Sequence, residues 1–451
     1  MEILLLSGGS GKRLWPLSNQ IRSKQFLKLL RSEKHHYESM LQRICRQLDS
    51  IGLLSSTHII TCRKQLDMIH NQINRYIPII TEPSQRGTFS AVSLAVAYLH
   101  SVHQMDLDKP VCVLPVDSFA EISFFQTITT IPDVLSQSKA DLALLGVQPN
   151  NPSNQYGYIV PRITAESEYY PISQFIEKPD RKKARLLIQQ KAIWNCGVYV
   201  FPLRFMLRFL ENKSLPTDYE GMLKNYHELS KRSFDSEVAE QSKGSIVIPF
   251  HGEWRDVGNW EALSEQMESS IIGYGEKSKD SINTHIVNEL SQPIHVIGIS
   301  DSMIAAGPDG ILISNKKRSS EIKQFIKEDV PRYVEKRWGS YKVLEKSKTA
   351  EGLETLTKTM NVLKDRNISY QLHQERQEIW TILSGIGEVI VNGVVRSIKT
   401  GDVIQIPIGA KHCVKAKTQL EFIEVQLGVK LSEDDIMRIT YSWEEALQCC
   451  R

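Results

Sequence analysis

Three glycines, Gly8, Gly9 and Gly11, follow a short apolar run at residues 3–6, and Lys12 and Arg13 come directly after them. A buried strand that feeds such a loop lets backbone approach a ligand closely, because glycine carries no side chain to hold it off. Successive amide N–H groups can then converge on an anion, while the two fixed cations meet phosphate oxygens. A tight turn is the alternative for any glycine-rich stretch after a strand. The adjoining cations, together with Lys24 eleven residues beyond Arg13, favour phosphate. The pattern is not GxxxxGK[ST], since Lys12 lacks the earlier glycine and no Ser or Thr follows it. Nor is it GxGxxG, since Leu14 takes the place of the third glycine.

Carboxylates complete the picture. Asp117 closes an apolar run at residues 111–116, and Asp256 follows a strand-like stretch at 245–250, 139 positions later. An Asp after a strand can simply cap a helix. Two on separate strand ends, however, supply the oxygen ligands that Mg²⁺ takes beside phosphates. Arg86 and Thr88 stand at the start of a helical pattern over 88–101, where a helix N-terminus favours an anion; a plain capped helix start is the alternative.

The string Gly-Gly-x-Gly-x-Arg-Leu-x-Pro-Leu at 8–17, with Ser23-Lys24-Gln25-Phe26 downstream, resembles the signature of sugar-1-phosphate nucleotidyltransferases. Trp15 before Pro16 is similar to their mannose-1-phosphate guanylyltransferase branch. Further matches come in order. They are Glu82-Pro83-x-x-Arg86-x-Thr88 (departing at Gly87 and Phe89), Gln155-Tyr156-Gly157-Tyr158, Phe175-Ile176-Glu177-Lys178-Pro179, Trp194-Asn195-Cys196-Gly197 (Cys where Ser is usual) and Trp254-x-Asp256-Val-Gly-x-Trp260. The Ser233-Phe234-Asp235 segment also resembles the family and reads as structural.

The resemblance implies a GT-A-like, Rossmann-like α/β domain that transfers a guanylyl group from GTP to mannose 1-phosphate with Mg²⁺. Its catalytic residues would be Arg13, Lys24, Asp117 and Asp256, the two aspartates also holding the ion. Gly8, Gly9, Gly11, Lys12, Arg86 and Thr88 would bind nucleotide. Gly157, Glu177, Lys178, Asn195 and Gly197 would bind the sugar phosphate, Glu177 accepting from vicinal hydroxyls and Lys178 acting as a point charge. Another sugar 1-phosphate or nucleotide, an added isomerase activity, and a binder that no longer turns over stay open.

Near the C-terminus, His373, Glu375 and Glu378, then Gly401 through Pro407, Gly409 and His412, resemble the two motifs of cupins. That resemblance implies a small β-barrel, similar to mannose-6-phosphate isomerase domains. Glu375 replaces the second histidine of the first motif, and Cys413 follows His412 where the bifunctional forms usually carry Arg. The set His373, Glu375, Glu378 and His412 could bind Zn²⁺ or another divalent transition metal. A non-catalytic barrel used for packing or oligomerisation is the alternative.

The elements that must position these residues read as three units. A chain of 451 residues exceeds one core. Residues 1–275 alternate strand-like runs (3–6, 57–61, 111–116, 142–147) with helical patterns, the mark of an α/β domain on a largely parallel sheet. Residues 276–330 give short runs at 293–299, 303–306 and 310–314, compatible with part of a β-helix, then a charged helical connector over 316–329. Residues 331–451 are strand-rich, with Asn392-Gly393 predicting a hairpin.

Apolar content of 41% and charged content of 24% are ordinary for a globular chain. A net charge of +3 is too small to imply nucleic-acid or membrane binding, and no apolar run approaches a membrane span. Seven scattered cysteines without a CxxC pair, and no leader-like stretch, point to free thiols in the cytoplasm. A homo-oligomer, such as a dimer, is expected.

Overall fold

The computed structural model describes residues 1–450 except Ser10, Thr164, 327–330 and 433–434. Its first unit is built on a nine-stranded sheet. The strand order is Ile79–Glu82, Thr57–Cys62, Glu2–Leu6, Pro110–Pro115, Ile193–Pro202, Leu142–Val147, Ser245–Phe250, Tyr170–Ile176 and Tyr158–Pro161. The first four run parallel. Ile193–Pro202 lies antiparallel to both neighbours, with its register shifting between Asn195 and Tyr199.

The sheet is therefore mixed, not largely parallel. An unbroken apolar run reports burial on both faces and says nothing of strand direction. One face packs under the helices Met40–Ser50 and Ile122–Ser138 through Ile44, Leu48, Phe124 and Ile128. The other packs under Thr88–Ser101 and Leu203–Asn212 through Val92, Val96, Met206 and Leu210. The Gly-rich loop and Asp117 follow the carboxyl ends of neighbouring strands, where open α/β sheets bind ligands.

The second unit is a set of short rungs. Ile271–Ile272, His285–Asn288 and Ser302–Gly307 pair in parallel, as do Gly275–Lys277 and Ile294–Val296. Alternation between two parallel sheets is β-helix geometry, closed by the antiparallel strand Gly310–Asn315. Its first rungs precede residue 276.

The connector is helical over Lys316–Gln324, in the 3-10 form. Asn315 caps it by accepting from Lys317 N–H, and Arg318 pairs with Glu321 three residues on, which matches the three-residue repeat. Residues 327–329 of the expected connector lie outside the described residues.

The third unit packs a six-stranded against a five-stranded antiparallel sheet around Trp380, Phe422, Val389 and Ile404. The hairpin at Asn392-Gly393 joins Ile386–Val391 to Val394–Lys399. The helix Trp443–Gln448 closes the described chain on Tyr370 and Ile390.

Candidate active site

The Gly-rich loop is held by its own residues and two glutamines. Ser7 N–H donates to Ile60 O at 2.8 Å, fixing the loop's start. Gly11 sits at φ 66°, and a Cβ there would lie 1.8 Å from Asn19 O, so no other residue fits. Ser18 Oγ donates to Gly11 O. Gln85 Nε2 reaches Gly9 O at 3.2 Å, and Gln65 Nε2 reaches Ser23 Oγ at 3.0 Å and Gly9 O at 3.5 Å. Trp15 turns away from the loop: its ring packs on Gly310 and its carbonyl accepts from Trp260 Nε1 at 3.0 Å.

Lys24, opening the 3-10 turn Lys24–Phe26, brings the two aspartates together. Its Nζ lies 2.5 Å from Asp117 Oδ2 and 3.8 Å from Asp256 Oδ1. The ribbon that pairs Ser118–Ala120 with Trp254–Asp256 aligns Asp256 opposite Ser118, beside Asp117. A Cβ on Gly258 would stand 3.1 Å from both Arg13 Nη1 and Asp256 Oδ2, so that glycine leaves room for the guanidinium beside the carboxylate.

Burial opposes ionisation of Asp117, but the Lys24 ammonium outweighs it and holds this carboxyl below the usual range. Burial raises Asp256; Lys24 recovers part of that, and the charge of Asp117 opposes it again. One ammonium thus serves two carboxylates. The pair has the oxygen donors and the residual negative charge that a divalent cation requires.

A small cavity of about 140 Å³ adjoins this pair. Gly157, Glu177, Lys178, Asn195 and Gly197 all line it along with Asp117 and Asp256, so seven residues expected on sequence grounds meet at one place. Gly157 has no room for a side chain: a Cβ would lie 2.8 Å from Glu177 Oε2 and 3.0 Å from Phe175 Cζ. Burial and the nearby Asp235 charge raise Glu177, although its ion pair with Lys178 pulls the other way. Asn195 Nδ2 donates to Tyr199 OH at 2.7 Å and to Asp235 Oδ1 at 2.8 Å, while its Oδ1 accepts from Gly197 N–H at 3.1 Å.

Asp235 therefore lines the cavity and orients Asn195, a role beyond the structural one that its segment suggests in sequence. The family-like Ser-Phe-Asp string was the available signal.

Arg86 and Thr88 engage the protein itself. The Arg86 guanidinium donates twice to Leu229 O, at 3.0 and 2.9 Å, and Thr88 Oγ1 accepts from Phe234 N–H at 2.8 Å. Both clasp the segment that carries Asp235 onto the helix Thr88–Ser101.

In the barrel, ligand atoms of His373, Glu378 and His412 lie within 4.8 Å of one another. Each imidazole has Nδ1 against a backbone carbonyl, His373 with Asp435 O at 3.1 Å and His412 with Ala410 O at 2.9 Å. That leaves both Nε2 atoms facing inward, the arrangement that orients histidine toward a metal. His412 Nε2 is buried without a hydrogen-bond partner.

Glu375 is a correction. It is exposed and outside the trio, engaged through its backbone N–H with Asp435 at 3.1 Å. On the strand Arg376–Ser384, side chains alternate between faces, so Arg376 and Glu378 share the buried side and Glu375 cannot join them. Arg376 donates to Glu378 Oε1 at 3.1 Å, its Nη2 lies 3.4 Å from His373 Nε2, and its Nη1 donates to Ser432 O at 2.9 Å. Burial opposes ionisation of Glu378, but His373, His412 and Arg376 together hold its carboxyl well below the usual range. The trio fits a metal in number and kind of donor only with Arg376 withdrawn. As folded, the cation opposite Glu378 is that guanidinium.

Comparison with known proteins agrees with this geometry. Residues 2–271 match the Nucleotidyl transferase family, and residues 325–441 match the Mannose-6-phosphate isomerase C-terminal family. A mannose-1-phosphate guanylyltransferase of Escherichia coli (strain K12) is 27% identical, over 96% of this chain and 97% of that one. The xanthan biosynthesis protein XanB of Xanthomonas campestris pv. campestris is 29% identical, over 96% and 97%. Among solved structures, one described as a mannose-1-phosphate geranyltransferase from Thermus thermophilus superposes with a TM-score of 0.61 at 25% identity. It covers 72% of this chain and 97% of its own. With its matched region spanning most of the sequence, the chain belongs to the nucleotidyl transferase family.

Proposed function

We propose that this protein transfers a guanylyl group from GTP to mannose 1-phosphate, giving GDP-mannose and pyrophosphate. The observation that carries the reading is the convergence of Lys24 on Asp117 and Asp256 between the Gly-rich loop and a cavity lined by Glu177, Lys178 and Asn195. The names of the full-length relatives support the choice of nucleotide and sugar.

The sugar phosphate is an anion at neutral pH, so its oxygen can attack the α-phosphorus in line without a general base, and pyrophosphate leaves. The protein's work is then positioning and charge neutralisation. Gly8, Gly9, Gly11 and Lys12 would cradle the triphosphate, Arg13 would neutralise charge developing in flight, and Arg86 and Thr88 would frame the nucleotide. Glu177, Asn195, Gly157 and Gly197 would seat the sugar, with Lys178 on its phosphate. Asp117 and Asp256 would hold Mg²⁺, which would supply positive charge to offset that of the phosphates.

Pyrophosphate release over a panel of nucleoside triphosphates and hexose 1-phosphates tests this. GTP with mannose 1-phosphate should lead. A different leading pair would replace the substrate assignment, and no release with any pair would leave a binder.

We take the three units as 1–270, 271–330 and 331–451, the first boundary moved back from the expected 275 because the rung Ile271–Ile272 already pairs with His285–Asn288. We take the chain to work in the cytoplasm as a homo-oligomer and to supply polysaccharide assembly. All seven cysteines are free, and no described helix is long and apolar enough to cross a membrane. Exposed Ile282, Ile297 and Ile313 offer apolar surface to a second copy. The barrel trio would accept Zn²⁺ or a similar ion once Arg376 withdrew. Conversion of fructose 6-phosphate would reveal an isomerase; stoichiometric metal without conversion would mark a barrel that kept the donors alone.

A further inference from the structure

Among the described residues, a donor cluster apart from the barrel trio gathers Glu2, His58 and His103 from three separate elements. Glu2 opens the strand Glu2–Leu6, and His58 is the second residue of the strand Thr57–Cys62. These strands pair in parallel with Leu4 opposite His58. Side chains alternate along a strand, so Glu2 shares the face of Leu4 and His58, and that face lies under the helix Thr88–Ser101. His103 follows the end of that helix. Its N–H donates to Tyr98 O at 3.0 Å, which folds the chain back over the strand ends.

The spacing suits one cation. His58 Nε2 stands 3.1 Å from Glu2 Oε2, and the His58 and His103 rings lie 5.2 Å apart, centroid to centroid. One ligand atom from each residue falls within 4.8 Å of the others. Donors held tetrahedrally at about 2.0 Å from an ion stand about 3.3 Å from one another. The Glu2–His58 pair already meets that spacing, and His103, exposed on its loop, has at most about 1.5 Å to close. His58 is 3% exposed, and its Nδ1 is buried with no hydrogen-bond partner, so hydrogen bonds within the protein leave this ring unsatisfied. Two imidazoles and one carboxylate are the donors of a Zn²⁺-type ion; Mg²⁺ prefers oxygen alone.

We propose that Glu2, His58 and His103 form a site for a Zn²⁺-type transition-metal ion, which pins two core strands to the end of the helix covering them. Glu2 lies at the amino end of a five-residue strand whose carboxyl end feeds the Gly-rich loop, roughly 15 Å away at 3.3 Å per residue. The ion is therefore structural and separate from the pair Asp117 and Asp256. The site stands whether or not the chain transfers nucleotides.

The test takes the full chain, stripped of metal with a chelator, and titrates it with Zn²⁺ alone at neutral pH against a chromophoric competitor. The unaltered chain should bind one equivalent more than His103→Ala, a change on an exposed loop. Glu2→Gln, which keeps the shape and one carbonyl oxygen, should weaken that equivalent by at least about a hundredfold, since even an outer partner of a metal ligand is worth about 10–100-fold. Zn²⁺ should also raise the urea midpoint of the unaltered chain more than that of either variant, because an ion bound only by the folded state stabilises it. Zinc held elsewhere, at the barrel trio or the two aspartates, appears in all three proteins alike and drops out of the comparison.

Equal zinc content and affinity in the unaltered chain and both variants would overturn the site and leave Glu2 and His58 as a plain hydrogen-bonded pair. The absence of bound Zn²⁺ from the unaltered chain would do the same. Loss of the extra equivalent with no difference in midpoint would overturn the structural role.

Discussion

One ammonium set between two carboxylates leaves Asp256 poorly compensated, so the residues around Lys24 should separate by what they do in turnover. Arg13 stands half-buried beside Asp256, where phosphate charge would pass. Arg13→Ala should lower kcat by about 10²–10³, the usual loss for one preorganised charge donor. Its melting temperature should stay close to that of the unaltered chain; near-normal pyrophosphorolysis by this variant would refute the role. Asp235 acts one step back, because it holds Asn195 and Tyr199. Asp235→Ala should raise the KM for the sugar phosphate by about tenfold, the worth of one charge-assisted hydrogen bond, with the KM for GTP unchanged. A parallel rise in both constants would mean a general loss of structure instead.

Elements were legible in the sequence wherever local chemistry dictated them. The strand Leu142–Val147 and the helix Thr88–Ser101 read correctly from end to end, because both are apolar runs bounded by polar residues. The direction of Ile193–Pro202 was not legible, since burial on both faces erases the alternation that would distinguish it. Asp235 escaped for another reason: its partner Asn195 is forty residues away, and only the fold joins them. Arg376 escaped because the motif directs attention to Glu375, whereas the pleat decides which neighbour faces inward. The β-helix rungs carry a further pH test. Burial, reinforced by Lys316 and Lys277, pushes the His285 imidazole down to about 4 from its ordinary 6.5. The unfolded chain therefore takes up a proton between pH 6.5 and 4 that the folded chain refuses, so stability should fall as pH drops through that window and level off below it. Urea midpoints measured on either side of pH 6.5, near neutrality and near the folded value of about 4, should differ less for His285→Phe than for the unaltered chain. An equal difference would remove His285 from the cause.

Across the whole molecule, the Gly-rich signature is also the seam between units. Leu14 and Leu17, on either side of Trp15, share one core with Val257 and Trp260 from the first unit and Val287, Met303 and Leu312 from the β-helix. The turn that carries Lys12 and Arg13 is thus braced from below by rungs almost three hundred residues away. Met303→Ala should cost about 2–5 kcal/mol, as large-to-small changes in a packed core do. Because the cavity would open beneath Leu14 and Leu17, kcat should fall with it. Ile404→Ala, buried in the barrel core and not part of this cluster, should cost a similar amount of stability yet leave turnover below the unfolding transition intact. Chemical denaturation paired with initial rates would check both. If Ile404→Ala lost activity as steeply as Met303→Ala, the bracing would belong to the whole chain and not to the seam under the loop.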